Sequence, residues 1–254
     1  MKTTLTLLTA LLLAPPAALH AAEPPIPAVP AACPGGKHDV ISARVKLGNV
    51  DLIVVGDSHI EKLKYGGSYL GKNGHDGGDE IDDGRLWKGS VWDKHYGKRR
   101  AVNMGIGGQR TQQILWRMLN GNLEGISPKV AVVMAGGNNL GSDKPEDIAL
   151  GVKAIVEAVR AKLPATKILL VSYIPYGTTK TDGVRVQIGK INETASRLAD
   201  DTHVFYVDID AKLMNADGTR DDSMFEDKYH LNQKGQEIWA AAIEPTLAKL
   251  LGEK

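Results

Sequence analysis

Five short apolar runs, DLIVVG (51–56), RAVNMGI (100–106), KVAVVMAG (129–136), KILLVSYIP (167–175) and HVFYVDID (203–210), constrain this chain more than any other feature. They are continuously apolar rather than alternating, as in strands buried on both faces, and so predict a parallel sheet covered by helices. Between them, apolar residues recur at helical spacing: Ile114, Leu115, Met118 and Leu119; then Ile148, Val152, Ile155, Val156, Val159 and Leu163; then Val184, Ile188, Ile191 and Leu198. A last helix is expected to open at Asn232 as N-cap and to be kinked or interrupted at Pro245. Strands separated by helices imply right-handed crossovers and a three-layer α/β/α sandwich. No internal repeat is visible.

The chain has 254 residues, 43% hydrophobic and 24% charged, enough for one sizeable core, and a single domain is expected over 37–254. Ahead of it, Lys2, the apolar run Leu5 to Leu13 and the small residues up to Ala22 have the layout of a cleavable secretory signal peptide over 1–22. That run is well short of the ~20 residues needed to span a bilayer, so stable membrane insertion is not expected. Residues 23–36, EPPIPAVPAACPGG, hold five of the 12 prolines and predict an extended or disordered linker. Loss of 1–22 removes Lys2 and takes the formal net charge from +1 to zero, which gives no attraction for nucleic acid. Cys33 is the sole cysteine, so no intrachain disulfide can form.

Ligands of open parallel sheets bind beyond the carboxyl ends of the strands. There the sequence places Gly56-Asp57-Ser58, NMGIGGQRT (103–111), AGGNNL (135–140) and MFEDKYHLNQKG (224–235). A nucleophilic serine needs a base, usually histidine, and that imidazole needs a third group to orient it. Ser58, His230 and Asp227 supply these parts, and Ser58 itself, Gly108 and Asn138 offer donors for an oxyanion. Taken singly, each has a plainer reading: Ser58 as a helix N-cap, the glycines as a tight turn, Asn138 or Asn139 as a strand end, Asp227 and His230 as a surface pair. GIGGQR has Arg110 where a dinucleotide fingerprint has its third glycine, so a nucleotide cofactor is not expected. The long connection 64–99 carries Asp76, Asp79, Glu80, Asp82 and Asp83, which fit no EF-hand and read as a solvated acidic loop rather than a metal site.

These blocks resemble the SGNH (GDSL-type) esterases: GDSHI the GDS block, NMGIGG the glycine block, GGNN the Gly-x-Asn block and DKYH the Asp-x-x-His block, over about residues 50–250. The stretch from Asn103 to Asn139 looks especially like the catalytic subunits of platelet-activating-factor acetylhydrolase and their bacterial relatives. The resemblance implies a flavodoxin-like sheet of order 2-1-3-4-5, with no metal and no organic cofactor. It makes Ser58 the nucleophile and an oxyanion donor, Gly108 and Asn138 the other donors, His230 the base and Asp227 its orienting partner. Many members have aspartate after this glycine and after the asparagine, where this chain has Gln109 and Asn139. His59, next to the nucleophile, is expected to point away from the substrate.

The expected activity is hydrolysis of small acyl esters, acetyl above all, by a secreted serine esterase acting on O-acetylated carbohydrate, with Trp87 and Trp92 either stacking on a sugar or pinning the long loop. Alternatives on the same residues are lipid or lysophospholipid deacylation and acyl transfer to a sugar. A noncatalytic acyl-glycan-binding module is the alternative of another class. The sequence does not fix the oligomeric state.

Overall fold

The computed structural model describes residues 26–65 and 88–253. The proposed signal peptide, the acidic cluster 76–83 and Trp87 lie outside the described residues. Five strands, β1 (Leu52–Gly56), β2 (Ala101–Gly105), β3 (Val130–Met134), β4 (Lys167–Val171) and β5 (Val204–Val207), form one sheet of order β2-β1-β3-β4-β5. Every pairing is parallel, and β1 sits between β2 and β3, with Gly56 opposite both Gly105 and Met134. The strand order thus reverses beside β1, the place where such sheets open a crevice.

Side chains alternate across the sheet into two cores. Ile53, Val55, Val102, Met104, Ala131, Val133, Ile168 and Leu170 face one, with α1 (Lys37–Lys46), α4 (Thr111–Leu119) and α5 (Pro145–Lys162). Leu52, Val54, Val130, Val132, Leu169 and Val171 face the other, with α2 (Ser58–Lys62), α3 (Val91–His95) and α7 (Gln233–Leu251). Helix α6 (Gly183–Ser196) contributes Ile188 to the second core and Ala195 to the first. Both faces being covered explains why the strands read as unbroken apolar runs.

Two expectations need revising, and a third is decided between its alternatives. Asn232 does cap α7, its side chain accepting the Gly235 N–H at 3.1 Å, but the helix continues through Pro245. Both Pro245 and Ala241, the residue four before it, are exposed, so water can take the carbonyl the proline leaves unpaired. The stretch 23–36 is not a free linker in its described part: Pro27 is buried, its carbonyl accepts the Thr111 hydroxyl, and the Ala31 N–H donates to the Gln112 carbonyl at 3.0 Å. Of the two roles weighed for Trp92, burial holds: it is 3% exposed in the second core, 4.9 Å from the Tyr96 ring, and is unavailable for stacking on a sugar.

Candidate active site

The site begins with the way β1 ends. Gly56 and Gly105 let α2 lie directly on the sheet, since a Cβ on Gly105 would stand 2.2 Å from the Glu61 nitrogen and one on Gly56 2.4 Å from Ile60. The N-cap of α2 is Asp57 rather than Ser58: the Asp57 carboxylate accepts the His59 N–H at 3.1 Å. Because the aspartate caps the helix, the Ser58 hydroxyl is left for another partner. Ser58 Oγ lies 3.0 Å from His230 Nε2.

His230 stands in the segment between β5 and α7. Its Nδ1 is 2.8 Å from Asp227 Oδ2, and the other carboxylate oxygen accepts the backbone N–H groups of Tyr229 and His230 at 2.7 and 2.6 Å. Partial burial pushes the Asp227 carboxyl up, but the hydrogen bonds from the His230 N–H, the His230 ring and the Tyr229 N–H outweigh it and hold the group at about 2. An ionised Asp227 fixes Nδ1 as the protonated nitrogen and leaves Nε2 as an acceptor facing Ser58. Serine, histidine and aspartate, separated by up to 172 positions in the chain, form one hydrogen-bonded line.

The two remaining strand ends close on this line. After β2, residues 106–109 form a turn with Gly108 at φ 75°, a left-handed conformation that glycine adopts without a Cβ penalty. The Gly107 N–H donates to Glu61 Oε2 at 2.7 Å, whereas the Gly108 and Ser58 N–H groups have no acceptor among the described residues. After β3 comes a short 3-10 turn, Gly137–Asn139. Asn138 Nδ2 donates one hydrogen to the Gln109 carbonyl at 3.0 Å, which orients the amide and leaves a second hydrogen.

The departures from the family pattern have partners. Gln109 Oε1 accepts the buried Arg117 at 2.6 Å, and Arg117 also donates to the Met104 carbonyl and to Asn122. Asn139 accepts the Thr111 N–H at 2.9 Å and donates to Gln112 and Asp143, tying the second turn to the start of α4. Lys62, the last residue of α2, pairs with Glu226, next to Asp227.

His59 is buried behind the site. Its Nε2 lies 2.8 Å from the Tyr176 hydroxyl, its ring centroid 5.2 Å from that of His230, and burial holds its imidazole well below the usual range. It is therefore neutral and turned inward, as expected for a neighbour of the nucleophile. Tyr176 contacts Tyr173, whose hydroxyl donates to Asp57 at 2.9 Å. Burial raises the Asp57 carboxyl to about 6 despite these bonds.

Asp57 should thus make stability depend on pH. Folded, it takes up its proton near 6, and unfolded near the ordinary ~3.9, so the native state holds the extra proton between these values. Stability falls as pH rises through that window. The destabilisation is complete above it, at about 2–3 kcal/mol for a shift of roughly two units. Asp57→Asn keeps a good cap without the ionisation. Relative to this variant, the wild type should lose that amount between pH 4 and pH 7 in urea unfolding; parallel curves would remove Asp57 as the cause.

Ser58, Asn138, His230, Leu140, Tyr176 and Tyr229 are among the residues lining a cavity of about 560 Å³. Its described lining is mostly neutral and includes Val184 and Gln187, with Tyr229 half exposed at 50%. Among the described residues, the acid and imidazole groups close enough to share a metal ion are Glu226, Asp227 and His230. Asp227 and His230 already bond each other, and Glu226 pairs with Lys62, so they do not form an open ligand set. Ser58, Asp227, His230, Gly108 and Asn138, all singled out from the sequence, stand together at this edge of the sheet. Glu61 and Arg117 behind them were not read; their signal is a charge placed on the buried side of a helix.

Residues 54–238 match the model of the GDSL-like Lipase/Acylhydrolase family. The chain is 32% identical over 164 residues to human platelet-activating factor acetylhydrolase IB subunit alpha1, covering 64% of this chain and 70% of that one. It is similar in fold to a GDSL-like lipase from Bacteroides thetaiotaomicron, with TM-score 0.61, 16% identity, and 84% and 96% of the two chains covered. An acetylxylan esterase from Geobacillus stearothermophilus aligns with TM-score 0.56, 17% identity, and 82% and 97% covered. This chain belongs to the GDSL-like lipase/acylhydrolase family and is a carboxylic ester hydrolase.

Proposed function

We propose that this protein is a secreted serine esterase that removes small acyl groups, acetyl above all, from carbohydrate through an acyl-serine intermediate. The observation that carries the reading is the line Ser58 Oγ, His230 and Asp227 at 3.0 and 2.8 Å, opening on a cavity of moderate size. Ser58 Oγ attacks the ester carbonyl while His230 Nε2 takes its proton, and Asp227 stabilises the imidazolium that forms. The negative charge on the carbonyl oxygen meets the N–H groups of Ser58 and Gly108 and the Asn138 amide. As the tetrahedral intermediate collapses, His230 gives the proton to the leaving alcohol oxygen. Water, deprotonated by the same nitrogen, then releases the acid and restores Ser58.

Small acyl groups fit the cavity because its described apolar lining is short, with Leu140 and Val184 beside two tyrosines. A carbohydrate alcohol suits a mostly neutral mouth with an exposed tyrosine face and Gln187. The relative at 32% identity is named for an acetylhydrolase, which supports the acetyl preference and keeps lipid deacylation as the second reading. Secretion rests on the sequence of residues 1–22; among the described residues no helix is long and apolar enough to cross a membrane.

Nitrophenyl acetate, butyrate and octanoate should be turned over in falling order, and acetylated polysaccharide should release acetate. A preference for octanoate would move the reading to lipid. No turnover of any ester would leave the binding module or a strict acyltransferase. Asn138→Ala should cost about 2.7–4 kcal/mol of activation free energy in kcat/KM, the loss expected for one oxyanion donor. An unchanged rate would take Asn138 out of the oxyanion site.

A further inference from the structure

We infer that Glu61 is a positioning residue: its buried carboxylate, neutralised by Lys37, clamps the Gly107 amide and so aims the neighbouring Gly108 N–H at the oxyanion. The inference rests on the serine-esterase reading above. Four observations carry it. The Glu61 side chain is 1% exposed, and its two oxygens have separate partners: Oε2 accepts the Gly107 N–H at 2.7 Å, and Oε1 pairs with Lys37, the first residue of α1. The turn it holds is soft by itself, because Gly107 and Gly108 have no side chains to restrict them and the closing bond from Gln109 N–H to the Ile106 carbonyl is long at 3.4 Å. The carboxylate stands on a fixed base: Asn103 Nδ2 donates to the Ile60 carbonyl at 2.7 Å, its Oδ1 accepts the Gly105 N–H at 2.9 Å, and α2 lies against Gly105 too closely for a Cβ between them. Finally, Glu61 lies on the same short helix as Ser58, so the nucleophile and the oxyanion turn are held by one rigid element.

A buried carboxylate is costly unless its charge is matched and its lone pairs are filled. Here Lys37 supplies the charge and Gly107 a hydrogen bond, so the cost is met by groups that also fix the turn. Since α1 brings Lys37 to this point, that helix takes part in shaping the site through Glu61.

The test separates the hydrogen bond from the charge. Lys37→Met/Glu61→Gln removes both charges and keeps an oxygen for the Gly107 N–H; Lys37→Met/Glu61→Leu removes the oxygen as well at similar size. Turnover of nitrophenyl acetate, thermal midpoint and inhibition by a trifluoromethyl ketone, which forms a tetrahedral oxyanion on serine, are measured for both and for the wild type. The Gln pair should keep kcat within a few-fold, while the Leu pair should lose about 10–100-fold in kcat at nearly unchanged KM, as expected for a misaimed catalytic group. Its affinity for the ketone should fall in step. Equal kcat for the two pairs, or a loss of thermal midpoint with kcat and ketone affinity intact, would make Glu61 merely structural and overturn the inference. Should a pair not fold, Glu61→Gln alone against the wild type carries the comparison: a large fall in kcat there would contradict a role carried by the retained oxygen. Full turnover by Ser58→Ala would instead overturn the esterase reading, and this inference with it.

Discussion

Ser58→Ala should fold like the wild type and lose turnover of nitrophenyl acetate by on the order of 10⁶-fold in kcat, the scale seen when a triad nucleophile is removed. The fold should not notice the change, because Asp57 and not Ser58 caps α2, and among the described residues the serine hydroxyl bonds His230 alone. His230→Ala should cost about as much, and the double variant no more than either alone, since the two act as one unit. Losses that multiplied would mean that Ser58 and His230 serve separate steps. Asp227, held at about 2, stays ionised at neutral and mildly acid pH and keeps orienting the imidazole there.

Arg117→Met should lower stability by about 3–5 kcal/mol, because it strands several buried acceptors at once. Arg117 has no exposed surface, and its guanidinium donates to Gln109 Oε1 at 2.6 Å, to the Met104 carbonyl and Asn122 Oδ1 at 3.0 Å, and to the Gly56 carbonyl at 3.4 Å. Burial lowers its pKa to about 10, still charged at neutral pH, and the methionine replaces this cation with a shorter apolar chain that reaches none of the acceptors. The folded fraction should also be slower, because Gln109, once released, no longer fixes the carbonyl that orients Asn138. Urea unfolding reads the first effect. A loss below about 1 kcal/mol would mean that water or a rearranged turn satisfies the acceptors.

The sheet and the line from Ser58 through His230 to Asp227 were legible in the sequence because both rest on local chemistry. Runs such as LIVVG and VAVVM are short, β-branched and bounded by turn residues, which favours strands covered on both faces over buried helix, and Ser58, Asp227 and His230 are residue types whose joint presence at strand ends has few other uses. The short helices α2, weighed only through Ser58 as a possible N-cap, and α3, and the longer helix α1, were not laid out from the sequence. At 5, 5 and 10 residues they show too little periodicity, and tertiary contacts hold them: α2 lies on Gly105, and α1 is joined to the site by Lys37. The same holds for the groups behind the turns. Arg117 falls on the apolar side of α4 beside Ile114 and Met118, and Glu61 one turn after Ser58. Their partners, Gln109 and Gly107, are specified only by the fold. The proline-rich start looked detached because it lacks periodicity, yet Pro27 and Ala31 dock on α4 through backbone groups that composition does not reveal.

On the proposed mechanism, the acyl group passes through Ser58. The direct test is to mix the protein with nitrophenyl acetate, quench within the first turnovers in acid, and map the acetyl group by peptide mass spectrometry. An acetyl group should appear on the peptide containing Ser58, at the rate of the nitrophenol burst, and be absent from Ser58→Ala. Steady release of nitrophenol with no acetyl on Ser58, or with the acetyl on another residue, would contradict it.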